Sequence, residues 1–512
     1  MLGTAIARVT AIDPRIQERT SELLERRLLE LAGRGVGNGA VVVIENAGRS
    51  VLALVGSGDY GDVTTQGQVN GALAPRSPGS TLKPFAYALA LDDRLITPST
   101  LLEDVPASYA GYAPQNYDGS YRGYVTAGEA LARSMNVPAV YLLHRLGMGR
   151  FYDFLRTAGI STLEEERTHY GLSLILGGAG FTLLELTNLY ATLAEGGGFR
   201  PPRLLREAPA PRPRPVLSPG AAYIVTDMLT EVRRPDLPSA WEDAVHLPSM
   251  AWKTGTSYGH HDAWSVGYTP RYTVGVWLGN FDGTASRALV GADAAGPLLF
   301  DLASSLESDG GTVFTPPPGV EERLVCSLSG LPPGPGCPDV RAELYLPGVS
   351  PDRTCDLHVR FEVDDVTGSR LCPHCRAGRS RHLETRVVWP AGMAAWLKAS
   401  GHPVPEFPEH LPSCATLASG SGPRIRSPVA GVTYILREGV PLEDQRIRLE
   451  ASAPSSVRTL YWFVDGELVS RGPPERAAFL DPSEGHHRVV CMDDEGRTSR
   501  MEMTIQGPSQ SP

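Results

Sequence analysis

Lysine is almost missing. Of 47 basic residues only Lys83, Lys253 and Lys398 are lysines, and arginine supplies the rest. Arginine stays protonated inside a protein, whereas a buried amine can act as a neutral base, so a lysine here suggests a position that a guanidinium cannot fill. Positive charge is also in deficit: 57 acidic residues leave a net charge of −10, and no dense Lys/Arg run occurs. That excludes nucleic acid as the main partner, because phosphate binding needs a basic surface. No apolar stretch approaches the ~18 residues of a membrane-spanning helix. The opening MLGTAIARVTAIDPR lacks the basic-then-apolar order of a signal peptide, so neither an anchor nor a leader is expected in this chain. Internal repeats are absent as well.

What is present suits folded domains. Hydrophobic residues make up 42% of 512 and charged residues 20%, with 55 glycines and 44 prolines. At roughly 150 residues per domain, about three domains are expected. Residues 14–33 space Ile16, Leu23, Leu24, Leu28, Leu29 and Leu31 as a helix ending at Gly33. AVVVIE (40–45) and VLALVG (51–56) read as a buried hairpin. A glycine-rich loop leads to PGSTLKPFAYALALDD, apolar nearly all round, which predicts a central helix beginning just before Pro84. Helical segments separated by glycines fill 128–200, and a proline-rich loop (209–220) precedes another helix to Leu229. Residues 252–280 read as three consecutive strands. The order hairpin, helices, meander predicts an α+β fold, an antiparallel sheet covered by helices.

Boundaries fall at TPPPGV (315–320) and GSGPRIRSP (420–428). The expected domains are therefore 1–314, a cysteine-bearing connector over 315–420, and 421–512, whose short strands predict an immunoglobulin-like β-sandwich.

Three short motifs carry chemistry. Ser80-Thr81-Leu82-Lys83 puts a hydroxyl and an amine on one helical face, where a desolvated lysine can deprotonate the serine. Ser134-Met135-Asn136 offers a hydroxyl for proton relay and an amide for a substrate. Lys253-Thr254-Gly255-Thr256 lies on a strand, where the glycine would let a peptide substrate approach an edge. Each is weak alone, but the ordered triple uses two of only three lysines, and serine acyl transferases combine these elements.

The chain resembles the penicillin-binding proteins. RSPGSTLKPFAYALALD, NYDGSYRGYVTAGEALARSMNVPAVYLL and KTGTSYGHHDAWSVGYTPRYTVGVWLGN over residues 1–310 read like that family's transpeptidase domain, and the cysteine-bearing segment with YWFVDGELV resembles the tail of one subgroup. The resemblance implies a peptidoglycan D,D-transpeptidase that binds penicillin covalently. Ser80 would be the nucleophile, Lys83 its base and Ser134 the relay. Asn136 would hold the substrate amide. Lys253, with Thr254 and Thr256, would hold its terminal carboxylate, Gly255 would also bind substrate, and Asn116 would line the cleft or serve packing. The backbone N–H groups of Ser80 and Thr256 would form the oxyanion hole. No cofactor or metal is assigned to the reaction. The implied partners are peptidoglycan stem peptides, β-lactam antibiotics and a cell-wall protein met by the C-terminal module. The implied location is periplasmic or extracytoplasmic, membrane-associated in the family. The glycosyltransferase domain usual ahead of this region is missing from the sequence, so that activity is not expected of this chain. Rival readings are a D,D-carboxypeptidase, a β-lactamase using a glutamate among Glu164, Glu165 and Glu166, and a non-catalytic wall or antibiotic-binding adaptor.

Other residues have plainer readings. His260, His261 and Asp262 fit a turn better than a metal site or triad, and Trp264, Tyr268 and Trp277 fit a core. Cys326, Cys337, Cys355 with His358, and Cys372-Pro-His-Cys375 admit disulfides, zinc or free thiols, with disulfides favoured for an extracytoplasmic protein. Seven cysteines leave one over under pairing, and Cys491, inside a strand, is a candidate.

Overall fold

The structure is a computed structural model that describes residues 9–109, 112–230, 249–307, 312–372, 375–389, 391–404, 408, 410–411, 422–437, 440–454, 457–494 and 497–507. Cys414 lies outside them. The chain divides into two compact units, Met1–Leu331 with Arg341–Arg353, and Pro332–Val340 with Thr354–Pro512.

The first unit is built on one antiparallel sheet. Its strands are β1 (Asn38–Glu45), β2 (Ser50–Val55), β3 (Ala251–Thr256), β4 (Asp262–Tyr268) and β5 (Tyr272–Gly279), in the order β2-β1-β5-β4-β3. The apolar runs predict these strands because both sheet faces are covered, and every residue of β4 is buried. Edge position falls to β3, which carries Lys253-Thr254-Gly255-Thr256.

Helices cover the two faces. On one side lie α1 (Pro14–Leu31) and α6 (Gly296–Leu306), packed on Val41, Val43, Trp252 and Val276. Asp13 caps α1 by accepting from the backbone of Arg15 and Ile16. Helix α1 passes into a 3₁₀ turn, Ala32–Arg34, so the chain reverses at Gly35 rather than Gly33. On the other face a larger core holds α2 (Lys83–Asp92), α3 (Asn136–Leu146), α4 (Leu183–Ala194) and α5 (Pro219–Thr230). Helix α2 is the buried centre, since all residues from Lys83 to Leu91 are covered. A 3₁₀ turn, Gly79–Leu82, precedes it, and Pro84 sits in its first turn, where its missing N–H is harmless. Trp264, Tyr268 and Trp277 are core residues, as read from the sequence.

The unit extends past the prolines at 316–318. The strand pair Glu321–Cys326 and Val340–Tyr345 belongs mostly to it, and Glu343 accepts from Ser99 N and from Arg323.

In the second unit, residues 358–387 form a three-stranded sheet of His358–Asp364, Arg370–Leu371 and Arg381–Val387. Residues 424–506 form two sheets, one of three strands and one of five, around Leu449, Trp462, Val489 and Cys491. That is a β-sandwich. Cys491 lies opposite Trp462 in the ladder, and burial pushes its thiol up to about 12.

Among the described residues no helix is long and apolar enough to cross a membrane.

Candidate active site

The Ser80 turn is forced against the sheet edge by glycines. Gly79 has φ +54°, and a Cβ there would stand 2.6 Å from the Thr256 carbonyl oxygen. A Cβ on Gly255 would lie 2.2 Å from the Pro78 carbonyl oxygen and 2.8 Å from the Thr81 methyl. The glycine of the third motif is therefore required by this protein's own Ser80 turn, which packs on the face of the edge strand. From behind, the buried Tyr190 hydroxyl donates to Thr81 O at 2.6 Å, and Trp264 Nε1 donates to Ser77 O at 2.7 Å.

The two lysines converge on one residue. Lys83 Nζ donates to the Ser134 carbonyl at 2.6 Å and to Asn136 Oδ1 at 2.8 Å. Lys253 Nζ donates to Ser134 Oγ at 2.6 Å and to Thr254 O at 3.2 Å. Both lysines are buried, and no carboxylate among the described residues pairs with either. Burial holds the Lys83 amine well below its usual range, and the Lys253 charge adds to the effect. Burial likewise lowers Lys253 to about 7. Desolvation disfavours the charged form of an amine, and two neighbouring amines resist holding two charges together.

Ser134 sits in the turn between the short helix Ala127–Ala132 and α3, with φ +56°. A non-glycine residue there stores on the order of 1–2 kcal/mol, and the strain presents both its carbonyl and its hydroxyl to the lysines. The Ser80 hydroxyl, partly exposed at the cleft, makes no hydrogen bond among the described residues. The Ser80–Lys83 contact anticipated from the i, i+3 spacing is thus not a hydrogen bond in this state, because the amine is turned to Ser134 and Asn136.

Asn116 is occupied internally. Its Nδ2 donates to Asp104 Oδ1 and Ser120 O, while its Oδ1 accepts from the backbone N–H groups of Asn136 and Val137 at 2.9 and 3.1 Å. Its Oδ1 caps the start of α3 and so positions Asn136, while its Nδ2 ties the same segment to Asp104 and Ser120. Asn136 is held further by donating to Gln115 O. Thr254 and Thr256 remain partly exposed on β3, and Thr256 Oγ1 accepts from Gly291 N at 3.0 Å.

The remaining candidates separate. Asp262 accepts from Trp277 Nε1, His261 faces Gly283 O and His260 faces Leu289 O, so these three form no joint site. Glu164, Glu165 and Glu166 are exposed, and none has a side-chain hydrogen bond to Ser80, Lys83, Ser134 or Lys253. Sequence reasoning missed Tyr190, Gln115 and Gly177. Gly177 has φ +91°, and its would-be Cβ falls 2.5 Å from the Gly79 nitrogen. The doublet Gly177-Gly178 after an apolar run was the available signal.

The chain is similar to known protein families. The profile described as "Penicillin binding protein transpeptidase domain" matches residues 39–294. Two further profiles, "Penicillin-binding protein 1A, C-terminal domain" and "Penicillin-Binding Protein C-terminus Family", match residues 316–360 and 412–505. Penicillin-binding protein 1C of Escherichia coli is 32% identical over 97% of this chain and 64% of its own length. Penicillin-binding protein 1F of Bacillus subtilis is 34% identical over 56% of this chain and 41% of its own. The chain thus spans less than two thirds of these relatives. Among solved structures, the PonA1 protein of Mycobacterium tuberculosis in complex with penicillin V is similar with a TM-score of 0.51 at 23% identity, covering 61% of this chain and 88% of that one. Penicillin-binding protein 1A of Haemophilus influenzae gives 0.53 at 23%, over 62% and 55%. At that identity the likeness speaks for the fold.

Proposed function

Because the chain belongs to the penicillin-binding protein transpeptidase family, we propose that it is a peptidoglycan D,D-transpeptidase acting through an acyl-enzyme on Ser80. The observation that carries this reading is the pair of buried lysines meeting on Ser134 beside the Ser80 turn.

The chemistry follows from where the protons sit. A neutral Lys83 amine has two N–H bonds, and both are donated, to Ser134 O and Asn136 Oδ1. Its lone pair is left to take the Ser80 proton. Ser80 Oγ then bonds to the penultimate D-alanine carbonyl carbon, and the resulting oxyanion is received by the N–H groups of Ser80 and Thr256. Preorganised donors of this kind contribute about 10²–10³ each in rate. As the peptide C–N bond breaks, the proton passes through the Ser134 hydroxyl to the departing D-alanine nitrogen. Lys253, held on that hydroxyl, supplies positive charge for the terminal carboxylate together with Thr254 and Thr256. Edge strand β3 offers its backbone to an extended peptide. Asn116 acts as a positioning residue by fixing Asn136. An amine of a second stem peptide then attacks the acyl-enzyme and releases Ser80. A β-lactam would follow the same first step and remain attached.

Labelled penicillin tests this. The expected result is a stable adduct that peptide mapping locates to Ser80 and that Ser80→Ala abolishes. D-Alanine released from a pentapeptide should appear with cross-linked dimer and vanish in the same variant. Equal adduct in both proteins would remove the enzyme assignment, and adduct turnover within seconds would favour a β-lactamase.

A further inference from the structure

The cysteine-bearing part of the second unit has a small apolar cluster among its described residues. Its three-stranded sheet buries Phe361 and Val363, with Val388 packed on them, as a hydrophobic cluster among the described residues. A core this small rarely stabilises a fold without a covalent or metal cross-link.

Thiols and imidazoles gather around it in two places. Cys372, Cys375 and His410 have their ligand atoms all within 4.8 Å of one another. Cys372 Sγ and Cys375 Sγ are 3.7 Å apart, and Cys375 Sγ lies 3.7 Å from His410 Nε2. A disulfide requires sulfurs at about 2.05 Å. In a tetrahedral zinc site, bonds of about 2.3 Å to sulfur and 2.0–2.1 Å to nitrogen set S···S near ~3.8 Å and S···N near ~3.6 Å. The observed separations match the second case. The local backbone supports it: Cys372 N–H donates to Cys375 Sγ at 3.1 Å, which favours a thiolate, and Cys375 N–H donates to Cys372 O at 3.1 Å, closing the turn. His410 is brought there by a bridge to Arg370 and by Leu411 N donating to Arg370 O, two residues before Cys372.

The second group repeats the pattern. Cys337, Cys355 and His358 also lie within 4.8 Å of one another, with Cys355 Sγ 3.5 Å from His358 Nδ1. Gly334 N–H donates to Cys337 Sγ at 3.2 Å.

We propose that this region is a zinc module, with one Zn²⁺ held by Cys372, Cys375 and His410 and a second held by Cys337, Cys355 and His358. Mixed thiolate and imidazole donors in tetrahedral spacing select zinc over the hard cations. Binding converts each thiol to a thiolate, its proton released to solvent, and the ion cross-links segments that the small core does not fix. The role is structural and separate from the Ser80 cleft.

The test is metal analysis of the full chain purified without a histidine tag. About two zinc atoms per chain are expected, falling to about one in Cys372→Ser/Cys375→Ser, with the remaining metal released by a chelator. His410→Ala should weaken the first site about 10–100-fold, and His410→Cys should restore it, separating loss of a ligand from general misfolding. Cobalt substitution should give the visible bands of tetrahedral thiolate coordination. Zinc-free protein that fails to take up Zn²⁺ after reduction would overturn the proposal. So would intact masses lower by the hydrogens lost to Cys372–Cys375 and Cys337–Cys355 disulfides.

Discussion

The two units treat their lysines in opposite ways. In the first, Lys83 and Lys253 are buried and face a hydroxyl, an amide and carbonyls, with no carboxylate partner among the described residues. In the second, Lys398 is 58% exposed and lies 3.4 Å from Glu475, an arrangement any of the chain's arginines could provide. Desolvation holds the Lys83 amine well below its usual range and lowers Lys253 to about 7, whereas Lys398 sits in solvent, where an ion pair contributes little. A scarce residue type thus marks function where burial is complete, and marks nothing where it is not.

The sharpest way to break this contrast is to exchange the residues. Lys83→Arg should lower penicillin acylation by about 10³-fold or more, since a guanidinium cannot take the serine proton. Lys398→Arg should leave the rate unchanged within about twofold. Equal effects would end the distinction, and stopped-flow acylation measures both. Next in size, Gly255→Ala should destabilise the first unit by about 2 kcal/mol or more in thermal unfolding, because the new methyl meets backbone at Pro78. An unchanged melting temperature would mean the Ser80 turn is not pressed on the sheet edge.

A third pair concerns Ser134. Both Ser134→Ala and Ser134→Gly should slow acylation by about 10²-fold. The glycine variant should be about 1 kcal/mol more stable than the alanine, since only glycine accepts φ +56° without strain. If the two melt together, the strain is not there.

Acidity separates the lysines more finely. Acylation by penicillin should rise with pH as Lys83 loses its proton, and level off well below 10.5. Affinity for a carboxylate-bearing peptide should instead decline above about 7, where the free protein's Lys253 becomes neutral. Because the folded Lys253 value lies below the unfolded one, the unfolded chain binds more protons between about 7 and 10.5. Stability therefore gains across that window and is lowest below it. Comparing melting curves of Lys253→Met with the parent from pH 6 to 10 checks the sign, and the difference between them should shrink as pH rises. Smallest of all, Lys398→Ala should shift unfolding by no more than about 0.5 kcal/mol.

Much of this was legible in the residues. Continuous apolar runs announced strands covered on both faces, and the Ser-x-x-Lys, Ser-x-Asn and Lys-Thr-Gly triple named the side chains that the fold brings together. Contacts made through backbone were not legible. No periodicity indicates that Gly255 faces Pro78, that the Asn116 carbonyl oxygen caps α3, or that Tyr190 props the Ser80 turn, since these depend on segments distant in sequence. The interleaving of the two units around 332–353 was hidden for a similar reason: loops rich in proline and cysteine carry no pattern that tells which core they join.

Scarcity of amines has a practical corollary. Acylating reagents and lysine-specific proteases meet one accessible side chain in the native protein, Lys398, while burial shields the other two. Immobilisation through lysine side chains would accordingly tether the molecule at Lys398 and spare Lys83 and Lys253. A native digest should stop after a single cut near the end of the Ala391–Ala399 helix.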